Sequence, residues 1–103
     1  MSEFITVAKV GAIPEGQGAT FVVGQRVIAV FHEVGRYFAI DDNCPHMGAS
    51  LGAAPVADGV VTCPWHAWRF NVRNGTWCDN PKLKIETFPV RIAGNNIQVA
   101  VKP

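Results

Sequence analysis

The sequence is poor in cysteine, in net charge and in long apolar runs. It has three cysteines, an odd number, and the first nine residues do not resemble a secretory signal, which argues against a disulfide framework. Nine basic residues against eight acidic ones give no electrostatic case for nucleic acid or an acidic membrane as a partner. No apolar run approaches the ~20 residues that a membrane helix needs. We therefore expect a cytoplasmic protein that binds neither nucleic acid nor membrane.

Long intervals without glycine or proline are also missing, which excludes long helices. Ten glycines and seven prolines are spread over the 103 residues, and no interval free of both exceeds ten residues. The segments between them favour short strands, predicted at 5–10, 20–23, 26–32, 37–40, 88–92 and 97–101. The unbroken apolar run 27–31 predicts a strand buried on both faces. The fold class is therefore all-β, an antiparallel sandwich or barrel of short strands.

The middle of the chain, about residues 41–81, differs from its flanks. It holds four glycines, four prolines, all three tryptophans and two cysteine–histidine motifs. Such a composition is typical of binding loops. We therefore predict a single domain, 1–103, in which a loop-rich binding insertion at about 41–81 is carried on a β scaffold.

The two motifs contain the candidate metal ligands. The first is Cys44-Pro45-His46 and the second is Cys63-Pro64-Trp65-His66, with sixteen residues between them. Two thiolates and two imidazoles suit a tetrahedral metal site or an iron–sulfur cluster with mixed ligands. Zinc sites more often use C-x₂₋₄-C pairs than C-x-H, so the pattern favours the iron–sulfur cluster over zinc.

Mixed ligands have an electrostatic purpose in such a cluster. A [2Fe–2S] core held by four thiolates carries a charge of minus two when oxidised, and two neutral imidazoles in place of two thiolates make it formally neutral. The electrostatic free energy of adding an electron is then lower, so the reduction potential rises. One cysteine and one histidine in each motif would let two loops hold the cluster from both sides.

Segments 44–48 (CPHMG) and 63–70 (CPWHAWRF) resemble the Rieske [2Fe–2S] domain, and the resemblance covers nearly the whole chain. It implies one [2Fe–2S] cluster per chain. It further implies that Cys44 and Cys63 ligate one iron and that His46 and His66 ligate the other. It also implies a third, proline-containing loop over the cluster at Pro81.

Within this family the sequence resembles the low-potential members. Rieske proteins of cytochrome bc complexes carry an additional, disulfide-bonded cysteine in each motif, where this chain has Ala49 and Trp65. They also place hydroxyl groups near the cluster, where this chain has Trp68 and Phe70. We therefore expect a potential in the lower part of the roughly −150 to +300 mV Rieske range. A Rieske oxygenase catalytic subunit is excluded, because a further site of two histidines and a carboxylate would need more than the one remaining histidine, His32.

The resemblance implies an electron carrier with no catalysis of its own, which takes electrons from a flavin-dependent reductase and passes them to a terminal oxygenase. The alternative is the small Rieske-like subunit of an assimilatory NAD(P)H nitrite reductase, with the large subunit of that enzyme as partner. A third hypothesis, from another class, is a zinc-stabilised interaction module.

The remaining histidine and cysteine, and the tryptophans, are expected to have structural roles. His32 follows an apolar run and is expected to be a half-exposed residue at a strand end. Cys78 is expected to be a buried or partly buried thiol. Trp65, Trp68 and Trp77 are expected to pack near the cluster and limit the access of water, and not to carry electrons.

Overall fold

The computed structural model describes residues 3–24, 26–42, 50–63 and 68–101. These residues form twelve strands and one 3₁₀ turn at Leu51–Ala53. The strands are β1 (Glu3–Lys9), β2 (Gln17–Val23), β3 (Arg26–Glu33), β4 (Arg36–Asp41), β5 (Val56–Ala57), β6 (Val60–Thr62), β7 (Arg69–Asn71), β8 (Thr76–Trp77), β9 (Asn80–Lys84), β10 (Thr87–Phe88), β11 (Val90–Ala93) and β12 (Asn96–Val101). The described part of the chain contains no helix that is long and apolar enough to cross a membrane.

The strands form three antiparallel sheets. The first sheet has the order β1-β12-β11, the second β10-β4-β3-β2, and the third β5-β6-β7-β8-β9. The first and last strands of the chain pair with each other, from Glu3 opposite Val101 to Lys9 opposite Asn96. The all-β prediction is confirmed, and five of the six strands expected outside the middle region are present. The sixth, expected at 88–92, is divided at Pro89 into β10 and β11, which belong to different sheets.

A tight turn joins strands β3 and β4. The β3–β4 hairpin turns at Val34 and Gly35, whose φ angles are +52° and +70°. Positive φ at both central residues belongs to the turn whose twist matches that of paired strands. Valine tolerates this conformation poorly, and the Glu15 carboxylate stabilises it by accepting the N–H groups of Val34 at 2.6 Å and Gly35 at 3.2 Å.

Strand β3 lies between two hydrophobic cores. Ala29 and Phe31 point into one core, whereas Ile28 and Val30 point into the other, and all four are fully buried. Because successive side chains of a strand point to opposite faces, a strand with a core on each side is apolar at every position. The prediction of a strand buried on both faces is correct for 28–31 and wrong for Val27, which is 43% exposed near the start of the strand.

The middle region contains more regular structure than its composition suggested. Strands β5–β9 are two to five residues long and form a sheet of their own from Val56 to Lys84. Pro81 belongs to β9, so the expectation of a loop at this position is wrong. Strand β9 is at the edge of its sheet, where a residue without an N–H group is tolerated.

Candidate metal centre

Cys63 is the one predicted ligand that lies among the described residues. It directly follows β6 and is 1% exposed, within the core that also contains Phe31, Leu51 and Phe70. The other three candidates, Cys44, His46 and His66, lie outside the described residues. The structure therefore places one thiol and the residues that flank the other three candidates.

The flanks of the first motif are joined by a main-chain hydrogen bond. Segment 43–49, which contains Cys44 and His46, follows Asp42 and is followed by Ser50 and the 3₁₀ turn. The Leu51 N–H donates to the Asp42 carbonyl at 2.8 Å, and the Asp42 N–H donates to the Val27 carbonyl at 3.1 Å. The two flanks of this segment are therefore held together beside β3.

The flanks of the second motif are held in a similar way. Strands β6 and β7 pair from Val60 opposite Asn71 to Thr62 opposite Arg69. Beyond this ladder the Cys63 N–H donates to the Trp68 carbonyl at 2.6 Å. Segment 64–67, which contains His66, thus connects two paired strands.

One residue beside the first motif and one residue of the second motif lie in the same core. Leu51, which ends the first motif's flank, and Cys63, which begins the second motif, belong to one buried apolar cluster. The fold therefore brings a flank of the first motif and the first residue of the second motif into one core. This is the arrangement that a ligand set divided between two loops needs.

Aromatic rings cover this side of the core. Trp68 stacks on Trp77 with ring centroids 4.1 Å apart and planes 14° from parallel. Phe70 lies 6.4 Å from Trp68 and is fully buried. Trp68 and Trp77 both pack against the core that contains Cys63, and Trp65 lies outside the described residues. The Trp77 Nε1–H is a buried donor without an acceptor among the described residues.

The family model of the Rieske [2Fe-2S] domain matches residues 3–89. The chain belongs to the Rieske family. It is 36% identical to the 3-phenylpropionate/cinnamic acid dioxygenase ferredoxin subunit of Photorhabdus laumondii, over 92% of this chain and 91% of that protein. It is 31% identical to the anthranilate 1,2-dioxygenase ferredoxin subunit of Burkholderia cepacia, over 98% of this chain and 94% of that protein.

Solved structures of Rieske proteins share the fold. The ferredoxin of carbazole 1,9a-dioxygenase from Nocardioides aromaticivorans superposes with a TM-score of 0.89 at 26% identity, over 96% of this chain and 98% of that one. A protein from Mycobacterium tuberculosis that is assigned as the small subunit of an NADH-dependent nitrite reductase superposes with a TM-score of 0.92. Its identity of 22%, over 100% of this chain and 98% of that one, shows the common fold alone.

The described residues fit the [2Fe–2S] cluster that membership of the Rieske family implies. The Cys63 thiol is shielded from solvent in an apolar environment, as a cluster sulfur ligand should be. The flanks of both motifs are fixed by hydrogen bonds. No group of three or more histidine, cysteine, aspartate or glutamate side chains in the described ranges could hold a metal ion elsewhere.

The remaining histidine and cysteine lie outside both motifs. His32 is half-buried in β3, its Nδ1 lies 2.8 Å from the Ile13 carbonyl oxygen, and its ring stacks on Tyr37 at 4.4 Å. Its expected structural role is confirmed. The burial expected for Cys78 is wrong, because this thiol is exposed in the turn between β8 and β9.

Sequence patterns did not single out Asp42, although its side chain forms hydrogen bonds next to the first motif. Its carboxylate contacts Thr20, Ser50 and Gly52, of which Thr20 is 22 residues away in the chain. The available signal was weak. It consisted of an acidic residue that follows an apolar strand and precedes Cys44 by two positions.

Proposed function

We propose that this chain is a one-electron carrier that passes electrons from a flavin-dependent reductase to a terminal oxygenase and has no catalysis of its own. The observation that carries this proposal is the similarity to dioxygenase ferredoxin subunits over more than nine-tenths of both chains. A further structure with a TM-score of 0.85 and 26% identity is a complex of reduced oxygenase and oxidised ferredoxin in carbazole 1,9a-dioxygenase. It supports a terminal oxygenase as the electron acceptor.

The proposed carrier holds one [2Fe–2S] cluster through four ligands, Cys44 and Cys63 on one iron and His46 and His66 on the other. Residues 1–103 form one domain, in which the insertion at about 41–81 binds the cluster. When bound, the cluster supplies a one-electron couple whose potential the two imidazoles raise. Cys63 and the stacked Trp68 and Trp77 keep water from one side of the site. We place the carrier in the cytoplasm, where reduced nicotinamides are available to a flavin-dependent reductase.

Two serine variants test the ligand assignment. Cys63→Ser removes a proposed ligand, whereas Cys78→Ser changes an exposed cysteine outside both motifs and serves as the matched control. We expect Cys63→Ser to lose most of its iron and its visible absorption, and Cys78→Ser to keep both. Full iron content in Cys63→Ser would overturn the assignment.

Electron transfer to isolated partners tests the direction of flow. Chemically reduced protein is mixed anaerobically with an oxidised Rieske-type terminal oxygenase, and its reoxidation is followed by visible absorption. We expect reoxidation at a rate that increases with the oxygenase concentration. If the oxygenase leaves the protein reduced, the proposed role is wrong.

The nitrite reductase small subunit is the second candidate, because a protein so assigned has the same fold over the whole chain. Its test is the same experiment with the large subunit of a nitrite reductase as electron acceptor. Turnover of nitrite that requires this chain, together with no reaction with oxygenases, would favour the second candidate over the first.

A further inference from the structure

One carboxylate oxygen beside the first motif collects three hydrogen bonds. Asp42 Oδ1 accepts the Gly52 N–H at 2.7 Å, the Ser50 hydroxyl at 3.0 Å and the Thr20 hydroxyl at 3.1 Å. Asp42 is only 6% exposed. We call these four residues the Asp42 network. Its centre is a buried charge, and hydrogen bonds to a charged acceptor are about twice as strong as neutral ones.

The network joins both flanks of segment 43–49. Asp42 is the last residue before the segment, and Ser50 is the first residue after it. The side-chain contacts of Asp42 add to the main-chain bond between its carbonyl and the Leu51 N–H. Through Thr20 the network also attaches both flanks to strand β2.

The network requires Gly52 to lie very close to β2 and to the Asp42 carboxylate. A Cβ atom at position 52 would overlap with Thr20 Oγ1 and would lie 2.9 Å from Asp42 Oδ1 and 3.1 Å from the Ala19 carbonyl carbon. A residue with a side chain would therefore push β2 and the carboxylate away from the Gly52 N–H. Glycine is required here for space, and the short hydrogen bond to Asp42 depends on it.

The two motifs differ in how their flanks are held. The second motif connects the paired strands β6 and β7, so the ladder itself sets the distance between its ends. The first motif connects β4 to a 3₁₀ turn, and these two elements share no ladder. Its flanks need other contacts, and the buried carboxylate provides them.

We propose that Asp42 is a positioning residue, whose carboxylate holds the flanks of segment 43–49 at the distance at which Cys44 and His46 bind the cluster. This inference rests on the cluster site proposed above. Residues that orient metal ligands without touching the metal change its affinity by roughly 10–100-fold when they are replaced. The expected result of losing the Asp42 carboxylate is therefore faster loss of the cluster from a folded protein.

The experiment compares three variants of the holoprotein with the wild type. Asp42→Ala removes the acceptor, and Asp42→Asn keeps an oxygen that can accept the same bonds. Glu33→Ala is the matched control, because Glu33 is also 6% exposed and its Oε1 accepts a glycine N–H, that of Gly59 at 2.6 Å. Gly59 lies in the β5–β6 turn, at the end of β6 opposite to Cys63, and belongs to neither motif. Iron release to a ferrous chelator after reduction is measured together with the free energy of unfolding and the EPR spectrum.

We expect Asp42→Ala to release iron about tenfold faster than the wild type, and Asp42→Asn to stay within about threefold of the wild-type rate. Glu33→Ala should lose stability but release iron at nearly the wild-type rate. If Asp42→Ala does not fold, the double variant Thr20→Val with Ser50→Ala removes two of the three donors and should also release iron faster than the wild type.

Two results would overturn the inference. The first is equal acceleration in Asp42→Ala and Glu33→Ala, which would show an effect of stability alone. The second is unchanged iron release in Asp42→Ala or in the double variant. A wild-type protein that binds no iron would instead overturn the proposed function, so the two failures can be told apart.

Discussion

At the scale of single residues, three carboxylates stabilise the backbone of this molecule by the same contact. Glu15 accepts the Gly35 N–H, Glu33 accepts that of Gly59, and Asp42 accepts that of Gly52. Of these three glycines, Gly52 is the one where a Cβ would meet the carboxylate, at 2.9 Å from Asp42 Oδ1. None of these contacts follows a short sequence spacing, since the pairs are 20, 26 and 10 residues apart. The sequence alone therefore gave no indication of them.

Glu15 makes the stability of the β3–β4 turn depend on pH. The Val34 N–H, followed by the Gly35 N–H and nearby His32, holds the pKa of the Glu15 carboxyl below its ordinary value of 4.5, although desolvation acts in the opposite direction. Below that value the unfolded chain binds more protons than the folded chain. The contribution of Glu15 is therefore fully present above pH 4.5 and is lost as the pH falls through the folded pKa.

The corresponding prediction concerns Glu15→Gln. We expect this variant to be less stable than the wild type at pH 7, and the difference to shrink steadily as the pH falls below 4.5. Urea unfolding at a series of pH values measures the difference. A difference that stays constant over this range would show that the carboxylate charge does not stabilise the turn.

At the scale of elements, β3 is the strand whose burial was most predictable. Its unbroken apolar run could only belong to a strand with a core on each face, and 28–31 lie between two cores. The short strands β5–β9 were much less predictable, because elements of two to five residues show no clear alternation. Asp58 and Gly59 form the turn between β5 and β6 with positive φ at both residues, and no hairpin was predicted there.

The burial of β3 leads to a prediction for two of its side chains. Phe31→Ala should cost about 3–5 kcal/mol, because a fully buried ring is replaced by a cavity. Val27→Ala should cost less than about 1 kcal/mol, because Val27 is 43% exposed. Denaturant unfolding of both variants measures the costs, and similar values for the two would contradict the two-core description.

Gly75 fixes the close approach of the β7–β8 connection to residue 85. It has a φ of +78°, and a Cβ at this position would overlap with the Ile85 carbonyl oxygen. Gly94 has a φ of +62°, but no atom lies within 4 Å of its Cβ position. Alanine variants of the two glycines therefore distinguish the cost of a left-handed conformation from the additional cost of a steric clash.

We expect Gly94→Ala to cost about 1–2 kcal/mol for the left-handed conformation alone. Gly75→Ala should cost more than about 3 kcal/mol, because a backbone atom must also move. The check is the free energy of unfolding of each variant. Equal costs would mean that the contact with Ile85 relaxes freely.

At the scale of the whole molecule, the fold places Leu51, beside the first motif, and Cys63, the first residue of the second motif, in one buried cluster. The proposed ligands come from the two motifs, because two cysteines and two histidines at these spacings leave few alternatives, and this ligand set stays a prediction. The hydrogen bonds of Asp42 beside the first motif could not be predicted from the sequence, because Asp42, Thr20 and Gly52 meet only after three elements have packed. The ligand set could therefore be proposed from the sequence, whereas the contacts beside it required the structure.

A cluster that joins two segments should stabilise the folded chain. Each metal–ligand bond favours the folded state over the unfolded state, in which no preformed site exists. We therefore expect removal of the iron to lower the melting temperature. Scanning calorimetry of the holoprotein and the iron-free protein measures the change, and equal melting temperatures would contradict a cluster that holds both segments.

The central claim is that two cysteines and two histidines hold a [2Fe–2S] cluster that carries one electron. The measurement that tests it most directly is the visible absorption and EPR of anaerobically purified protein, before and after dithionite. We predict a red-brown oxidised protein whose reduced form gives a rhombic signal with an average g value below that of all-thiolate clusters. A colourless protein that contains stoichiometric zinc, and no iron even after cluster reconstitution, would contradict the claim.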